Sequence, residues 1–380
     1  MVVRGASAHS AKKEVRQLQR DPYDPTKPFN EQTKAAIVAT HPKDGPITVA
    51  PHGKRFKITR DGDYWKGYEE LIGVDGIGTK GALHFRMNTP RNGAQDVFAM
   101  VVDDLIEGGY IPVLFQDHII IQEENHAFIF GIVSGLVDLS LQNPWRTSDG
   151  RSYPIAITGG ETAILNTVEG FEVGLNVTGY VRKGHEITAN VEAGDAIIGI
   201  ESSGVHSNGL SFFRREFFDN RGMELDHALP WGNTVGEELT IPTRVYLPAI
   251  KELIDAFTEG DAPASRFVHG MVHITGGGFS KFGELIPGRE DLDIRIGNGY
   301  AIEPQEIFRY VNGKFGMPSE KMYTTFNNGV GFAIAVSPDK VDEALTVLKR
   351  HYPAEVMGSV ERGSGRIAVE SKYDGATVEY

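Results

Sequence analysis

The sequence predicts an α+β chain made of two α/β domains of similar size. Three observations carry that prediction. From Glu70 onward, short apolar strand candidates alternate with segments whose apolar residues recur at helical spacing. The alternation restarts after Arg182-Lys183-Gly184, which marks a boundary between two such units. Glycines also cluster where strands end: 45 glycines in 380 residues are about 12%, against an average usage of ~7%.

Residues 1–66 read as polar and irregular, with a turn at Asp21-Pro22-Tyr23-Asp24-Pro25. Leu71-Ile72-Gly73-Val74 is a short strand entering a glycine loop. Ala94, Val97, Phe98, Val101 and Leu105 fall on one stripe of a helix over 94–107. Ile111–Phe115 and Tyr153–Thr158 are apolar strands, and residues 171–177 alternate as a strand with one buried face should. Beyond the boundary, Asp195–Ile200 is a strand, followed by a polar loop and a helix from about Leu210. Tyr246, Ile250, Leu253, Ile254 and Phe257 share one face of a helix over 243–257, which Gly260 stops. Val268–Ile274 and Val330–Val336 are strands, and Pro338–Arg350 is helical.

Composition removes several function classes. The balance of 38 basic and 51 acidic residues gives a net charge of −13, which disfavours a binder of nucleic acid or anionic membranes. Cysteine is absent, so disulfides, thiolate catalysis and Cys-based metal sites are excluded. The uncharged apolar stretch Ala127–Val137 is 11 residues, short of the ~20 that span a bilayer. Met1–Arg20 has no apolar leader core, so a cytoplasmic protein is expected.

The loop Gly73-Val74-Asp75-Gly76-Ile77-Gly78-Thr79-Lys80-Gly81 contains G-x-G-x-x-G after a strand, and a dinucleotide site must be weighed. Asp75 and Lys80 would crowd a pyrophosphate turn, and no helix is expected after Gly81. A carboxylate and a lysine flanking a flexible loop suit Mg²⁺ and phosphate together. On the 94–107 helix, Asp104 falls beside the apolar stripe, whereas Asp96 and Asp103 point nearly opposite. A carboxylate at that border needs a cation or donor. Asp117 and Glu161, the latter in Gly159-Gly160-Glu161-Thr162, read as residues at or just past strand ends, and with Asp104 could share a hard cation. Ser202-Ser203-Gly204-Val205-His206-Ser207-Asn208-Gly209 before a helix makes an anion-friendly pocket. In His273-Ile274-Thr275-Gly276-Gly277-Gly278, bare glycines allow close backbone approach to a ligand.

These motifs occur in the order found in the aminoimidazole ribonucleotide synthetase (phosphoribosylformylglycinamidine cyclo-ligase) family, which the chain resembles over residues 70–362. Pro242-Thr243-Arg244-Val245-Tyr246 and Phe326-Asn327-Asn328-Gly329-Val330-Gly331 extend the match. The wider superfamily includes formylglycinamidine ribonucleotide synthetase, selenophosphate synthetase and thiamine-phosphate kinase. The resemblance implies a homodimer whose N-terminal sheets pair into a barrel, with a C-terminal α/β sandwich. It implies domains at 67–183 for ATP and dimerisation and at 184–380 for substrate. The implied reaction is ATP-dependent cyclisation of formylglycinamidine ribonucleotide, with ATP, Mg²⁺ and a small ribonucleotide as ligands. A related kinase or synthetase, or a non-catalytic nucleotide-binding paralogue, is the alternative.

By the same resemblance, Asp104, His206 and His273 are catalytic, and Asp75, Asp104 and Glu161 hold metal. Asp75, Gly76, Gly78, Thr79, Lys80, Asp117, Gly159, Gly160, Glu161 and Thr162 meet the nucleotide. Ser203, Ser207, Asn208, Gly276, Gly277 and Asn327 hold substrate. The chain departs from the family at Asp103-Asp104, where Asn-Asp is usual, at Lys321, at Tyr110 in Gly109-Tyr110-Ile111-Pro112, and in residues 1–66. That segment is expected to be an atypical extension or nucleotide lid.

Overall fold

The computed structural model describes residues 28–53 and 55–380; the turn expected at Asp21–Pro25 and the stretch Met1–Arg20 lie outside them. The first half runs α1 (Pro28–Val38), β1 (Ile47–His52), β2 (Arg55–Arg60), β3 (Tyr68–Gly76), α2 (Lys80–Met87), α3 (Pro90–Glu107), β4 (Ile111–Ile121), α4 (His126–Gln142), β5 (Ala156–Ile164) and β6 (Phe171–Arg182). A four-stranded sheet has the order β3-β6-β4-β5, antiparallel except for the parallel β4–β5 pair. The alternation read at 171–177 is real: Phe171, Val173, Leu175 and Val177 are buried in the core shared with α3 and α4.

Three sequence readings are corrected here. A helix does follow the glycine loop, because α2 begins at Lys80. The dinucleotide reading fails on topology instead: β3 pairs antiparallel with β6, so the loop does not open a βαβ unit of a parallel sheet. Asp117 and Glu161 lie inside β4 and β5, not at their ends: β4 runs on through Ile119–Ile121 and β5 through Ala163-Ile164.

The second half runs β7 (Ala196–Glu201), a helical turn at Leu210–Phe213, α5 (Leu247–Phe257), β8 (Val268–His273), β9 (Leu292–Ile296), α6 (Glu306–Phe315), α7 (Ser319–Thr325), β10 (Val330–Val336), α8 (Val341–Leu348), β11 (Ala354–Arg362), β12 (Ile367–Glu370) and β13 (Thr377–Glu379). These strands form a seven-stranded sheet in the order β8-β10-β7-β11-β9-β12-β13. β10 is buried on both faces, which its unbroken apolar run requires. The architecture is therefore α+β, with two sheets and flanking helices.

Helix α3 joins the halves. It starts with Pro90 in its first turn, where a missing N–H costs nothing, and at 18 residues it is about 27 Å long. Its apolar stripe packs on the first sheet, as the spacing predicts. The opposite face does not meet water: Asp96 and Asp103 are fully buried against the second half, while Asp104 is the half-exposed one. The wheel gave their directions correctly but not what lies there. Helix α5 also starts four residues later than its periodicity suggests. The N–H groups of Thr243, Tyr246 and Leu247 are taken by Asp96 and Asp103.

Residues 28–66 are not irregular. α1 packs on α4, and the β1–β2 hairpin covers Val113, Leu114, Tyr153 and Tyr180 with Ile47 and Val49. Thr40 fixes the junction: its hydroxyl donates to Ile37 O at 2.7 Å and accepts from buried Ile157 N at 3.0 Å. The Trp65 ring packs tilted against Tyr180, with centroids 4.1 Å apart. Thr40→Val keeps the shape but orphans Ile157 N–H, so it should lower unfolding free energy by about 1–3 kcal/mol in urea titration. An unchanged midpoint would mean the extension is not docked this way.

Candidate active site

A cleft of about 530 Å³ opens between the halves. One wall is the end of β3 and its loop, Asp75 to Thr79, with Asp104 and Met100 from α3. The other comprises Ser207–Ser211, Thr275-Gly276 and Lys281. Gly76 N donates to Asp75 at 2.7 Å, which turns the carboxylate back over its own loop. Burial raises the Asp75 pKa against that bond, and the charge of Asp104 raises it further. Two carboxylates thus face one cleft, a donor set suited to Mg²⁺.

Asp104 Oδ1 lies 2.8 Å from His273 Nδ1, across 169 positions of sequence. The His273 side chain is fully buried, and its Nε2 has no hydrogen-bond partner. Burial opposes charging of this ring, but the Asp104 bond and the carboxylates of Asp103, Asp104 and Glu107 outweigh it and raise its pKa. Glu107 accepts the backbone N–H of His273. Burial lifts Glu107 to about 8 and Asp103 to about 7.

His206 is held at φ 59, a left-handed conformation that costs a non-glycine residue energy and recurs at functional sites. Ser203 N donates to its Nε2 at 3.2 Å, so the neutral ring carries its proton on Nδ1, which has no partner. Burial keeps this ring neutral. The Asn208 Nδ2 is another buried donor without a partner, on a residue that lines the cleft. Gly278 at φ +55 explains part of the glycine run: a Cβ there would sit 2.3 Å from Tyr323 O.

The structure therefore gathers Asp75, Gly76, Gly78, Thr79, Asp104, Ser207, Asn208 and Gly276 at one cleft, with His273 behind Asp104. Others stand apart. Gly159, Gly160, Glu161 and Thr162 lie on β5, at the opposite sheet edge from Asp75. Asp117, pushed to about 7 by burial, pairs in register with Gly160. The trio Asp75, Asp104 and Glu161 is thus not assembled within this chain, and among the described residues no three His, Asp or Glu side chains are placed to hold a metal. The Ser203 hydroxyl is spent on Pro242 O. Gly277, at φ 93, starts the helical turn after the loop and does not line the cleft. Asn327 is consumed structurally: its Oδ1 accepts from Ser202 and its Nδ2 donates to Gly204 O.

Lys80 is the clearest correction. Its ammonium is fully buried, 2.8 Å from Asp96 Oδ1 and 2.7 Å from Ile241 O, and does not line the cleft. The cation that does is Lys281, 2.8 Å from Glu284. Its only sequence signal was a position three residues past the glycine loop. None of residues 28–66 lines the cleft. No helix among the described residues is long and apolar enough to cross a membrane.

Comparison with known proteins agrees with this layout. Residues 63–181 match the N-terminal domain of AIR synthase related proteins, and residues 192–370 match the C-terminal domain. A phosphoribosylformylglycinamidine cyclo-ligase from Methanothermobacter thermautotrophicus is 36% identical over 298 residues, 77% of this chain and 80% of that one. The same-named protein of Bacillus licheniformis is 32% identical over 78% of this chain and 81% of its own. Among solved structures, thiamine-monophosphate kinase from Stenotrophomonas maltophilia aligns with a TM-score of 0.60 at 16% identity, covering 92% of this chain and 96% of that one. The hydrogenase maturation protein HypE in complex with ATP aligns at 0.57 and 13%, covering 93% and 92%. At those identities the two structures share the fold alone.

The Glu107 carboxyl gives a pH prediction. Its folded pKa of about 8 lies above the ordinary 4.5, so the folded state holds a proton that the unfolded chain releases. Stability is therefore lost as pH rises through that window, and the loss is complete above the folded pKa. Glu107→Gln keeps the acceptor for His273 N–H and removes the titration. Its melting temperature should exceed wild type at pH 8.5, with the gap closing toward pH 5. Parallel Tm–pH curves would contradict this.

Proposed function

The chain belongs to the AIR synthase related family, and we propose that it converts formylglycinamidine ribonucleotide and ATP to aminoimidazole ribonucleotide, ADP and phosphate, a step of purine biosynthesis. The observation that carries this reading is the similarity to proteins of that name, with identities of 32–36% over about four-fifths of the chain. The cleft is chemically consistent with it.

An amide oxygen is a poor leaving group. Transfer of the γ-phosphoryl group of ATP to that oxygen makes it a phosphate ester and leaves the carbon electrophilic. An amidine nitrogen of the same molecule then attacks. The new C–N bond closes the ring, the C–O bond breaks, phosphate departs, and the nitrogen sheds a proton. The protein's part is to position the reactants and compensate charge.

Asp104 faces the cleft and is bonded to Nδ1 of His273 behind it, so we assign the Asp104–His273 pair, reached through the Asp104 carboxylate, to take up that proton. The raised pKa of the His273 ring favours keeping the proton on that pair. Asp75 and Asp104 would hold Mg²⁺, whose chemistry is to offset phosphate charge. Lys281 and the backbone of Thr275-Gly276 supply the protein's own groups for an anionic ligand, and Asn208 Nδ2 is a spare donor for the ribonucleotide.

Pairing of two copies through the first sheet fits its exposed edge. β3 has a neighbour on one side only, and Leu71, Ile72 and Val74 are 42%, 54% and 71% exposed. Apolar residues so exposed on an edge strand invite a partner strand or sheet. The β1–β2 hairpin reaches the start of β3, where Arg60 pairs with Glu70, but Leu71, Ile72 and Val74 are not part of the cluster it covers.

The direct test is ADP release on mixing the protein with ATP, Mg²⁺ and formylglycinamidine ribonucleotide, each alone giving none. Absence of turnover in the presence of ATP binding would overturn the proposal. Asp104→Asn and His273→Ala should each lower kcat about 10²- to 10⁴-fold. Lys281→Met should raise KM for an anionic substrate about tenfold or more, as loss of a charge-assisted hydrogen bond does. Val74→Asp should convert a dimer to monomer in sedimentation velocity; an unchanged species would place the interface elsewhere.

A further inference from the structure

We propose that Lys80 and Asp96 form a latch between the two halves that positions the Ser207-Asn208 wall of the cleft, and that Lys80 is not a phosphate contact. The assay below uses the ring-closure substrate and to that extent rests on the function proposed above.

Asp96 is fully buried and collects donors from both halves of the chain. From its own side come Lys80 Nζ at 2.8 Å and His84 Nε2 at 2.7 Å. From the other side come Thr243 N at 2.7 Å, Thr243 Oγ1 at 2.6 Å and Ser207 Oγ at 3.3 Å. Lys80 repeats the pattern, since its second bond goes to Ile241 O across 161 positions. Asn92 and Gln95, on the turn before, donate to Thr240 O and Thr243 O. The latch thus ties α3 to the segment 240–243 and, through Ser207, to the run 207–211 that lines the cleft.

Two features make this a positioning device as well as a packed core. Lys80 directly follows Gly78-Thr79 and Ser207 directly precedes Asn208, so each cleft wall is anchored next to its lining residues. Ser207 makes the longest contacts in the cluster, 3.3 Å to Asp96 and 3.5 Å to Thr243 Oγ1. A carboxylate oxygen has about two lone-pair sites, and Lys80 with Thr243 already fills the one that Ser207 shares. Ser207 is therefore held in place while its hydroxyl remains the most easily diverted donor at the edge of the cleft. Truncating one member of a buried pair leaves an uncompensated charge, whereas neutralising both leaves none.

The test is a cycle of wild type, Lys80→Met, Asp96→Asn and the double variant. Three quantities are read: Tm, affinity for a non-hydrolysable ATP analogue with Mg²⁺, and KM for formylglycinamidine ribonucleotide at saturating ATP. Each single variant should lose about 5 °C or more in Tm and raise the ribonucleotide KM about tenfold, with analogue affinity within about threefold of wild type. The double variant should regain most of both losses. A purely structural pair would lower Tm without moving the ribonucleotide KM relative to analogue affinity, and that result overturns the proposal. A tenfold loss of analogue affinity in Lys80→Met that persists in the double variant also overturns it, because Lys80 would then be a phosphate contact. Should the single variants not fold, a folded double variant with near-wild-type analogue affinity supports the latch, and one weakened tenfold refutes it. If wild type itself does not turn over the ribonucleotide, the function proposal fails. In that case Ser207-Asn208 placement is read by hydrogen exchange of the 207–211 amides: faster exchange in the single variants that the double variant reverses supports the latch, and unchanged exchange refutes it.

Discussion

A row of buried carboxylates along α3 holds this molecule together. Asp96, Asp103 and Glu107 are spaced seven and four residues apart, which puts them on one side of a helix. Each accepts a backbone N–H from the second half of the chain: Thr243 for Asp96, Tyr246 and Leu247 for Asp103, His273 for Glu107. The helix is thereby apolar toward its own sheet and polar toward the other half, and both faces are dry. Side-chain carboxylates here replace the local bonds that would have begun α5 earlier. The cleft exists because this junction brings the end of β3 opposite the Ser207 and Thr275 loops.

Equal burial on one helix has opposite electrostatic consequences. Burial pushes the Asp96 carboxyl up, but the ammonium of Lys80 and the ring N–H of His84 overcome it and hold it well below the usual carboxylate range. At Asp103 the nearby His273 ring and two backbone donors oppose burial, but burial outweighs them and lifts it to about 7. Glu107, with one backbone donor and the charge of Asp104 nearby, rises to about 8. The junction thus has a permanently ionised end at Asp96 and a proton-holding end around His273. The proton-holding end is the one beside Asp104 and the cleft.

Much of the fold was legible because its signals are local. The 94–107 stripe, the alternation at 171–177 and the apolar run of β10 each report burial through their own period. What failed required knowing the other half of the chain. Asp96 and Asp103 could be placed opposite the apolar stripe, but nothing nearby in sequence says that residues 241–247 cover them. Lys80, beside a glycine loop, had the local appearance of a phosphate ligand; its true partner lies one helix later. Asp117 and Glu161 read as strand ends because a polar residue inside a strand interrupts an apolar run just as an end does. The pairing of Asp104 with His273 had no sequence signal beyond both motifs being present. Residues 28–66 hid a helix and a hairpin, since a short amphipathic hairpin docked on a finished sheet needs few apolar residues of its own.

The charges around the cleft constrain how an anion can enter it. Asp75 and Asp104 line it, and Lys281, the lysine on its wall, already shares its charge with Glu284. Lys80, which the sequence offered as a second cation, is spent inside the junction. The chain as a whole carries −13, so no long-range field draws anions in. A polyphosphate arriving alone would meet two carboxylates and one half-neutralised lysine, and repulsion would dominate. Arriving with a divalent cation, it converts those same carboxylates from repulsive groups to ligands. The Gly76 and Gly78 N–H groups already donate to Asp75 and Glu172, so the backbone of Thr275-Gly276 across the cleft matters most for the phosphate oxygens. Neutral amide dipoles can approach phosphate oxygens closely without adding to the charge, and this is what the glycine excess at strand ends supplies.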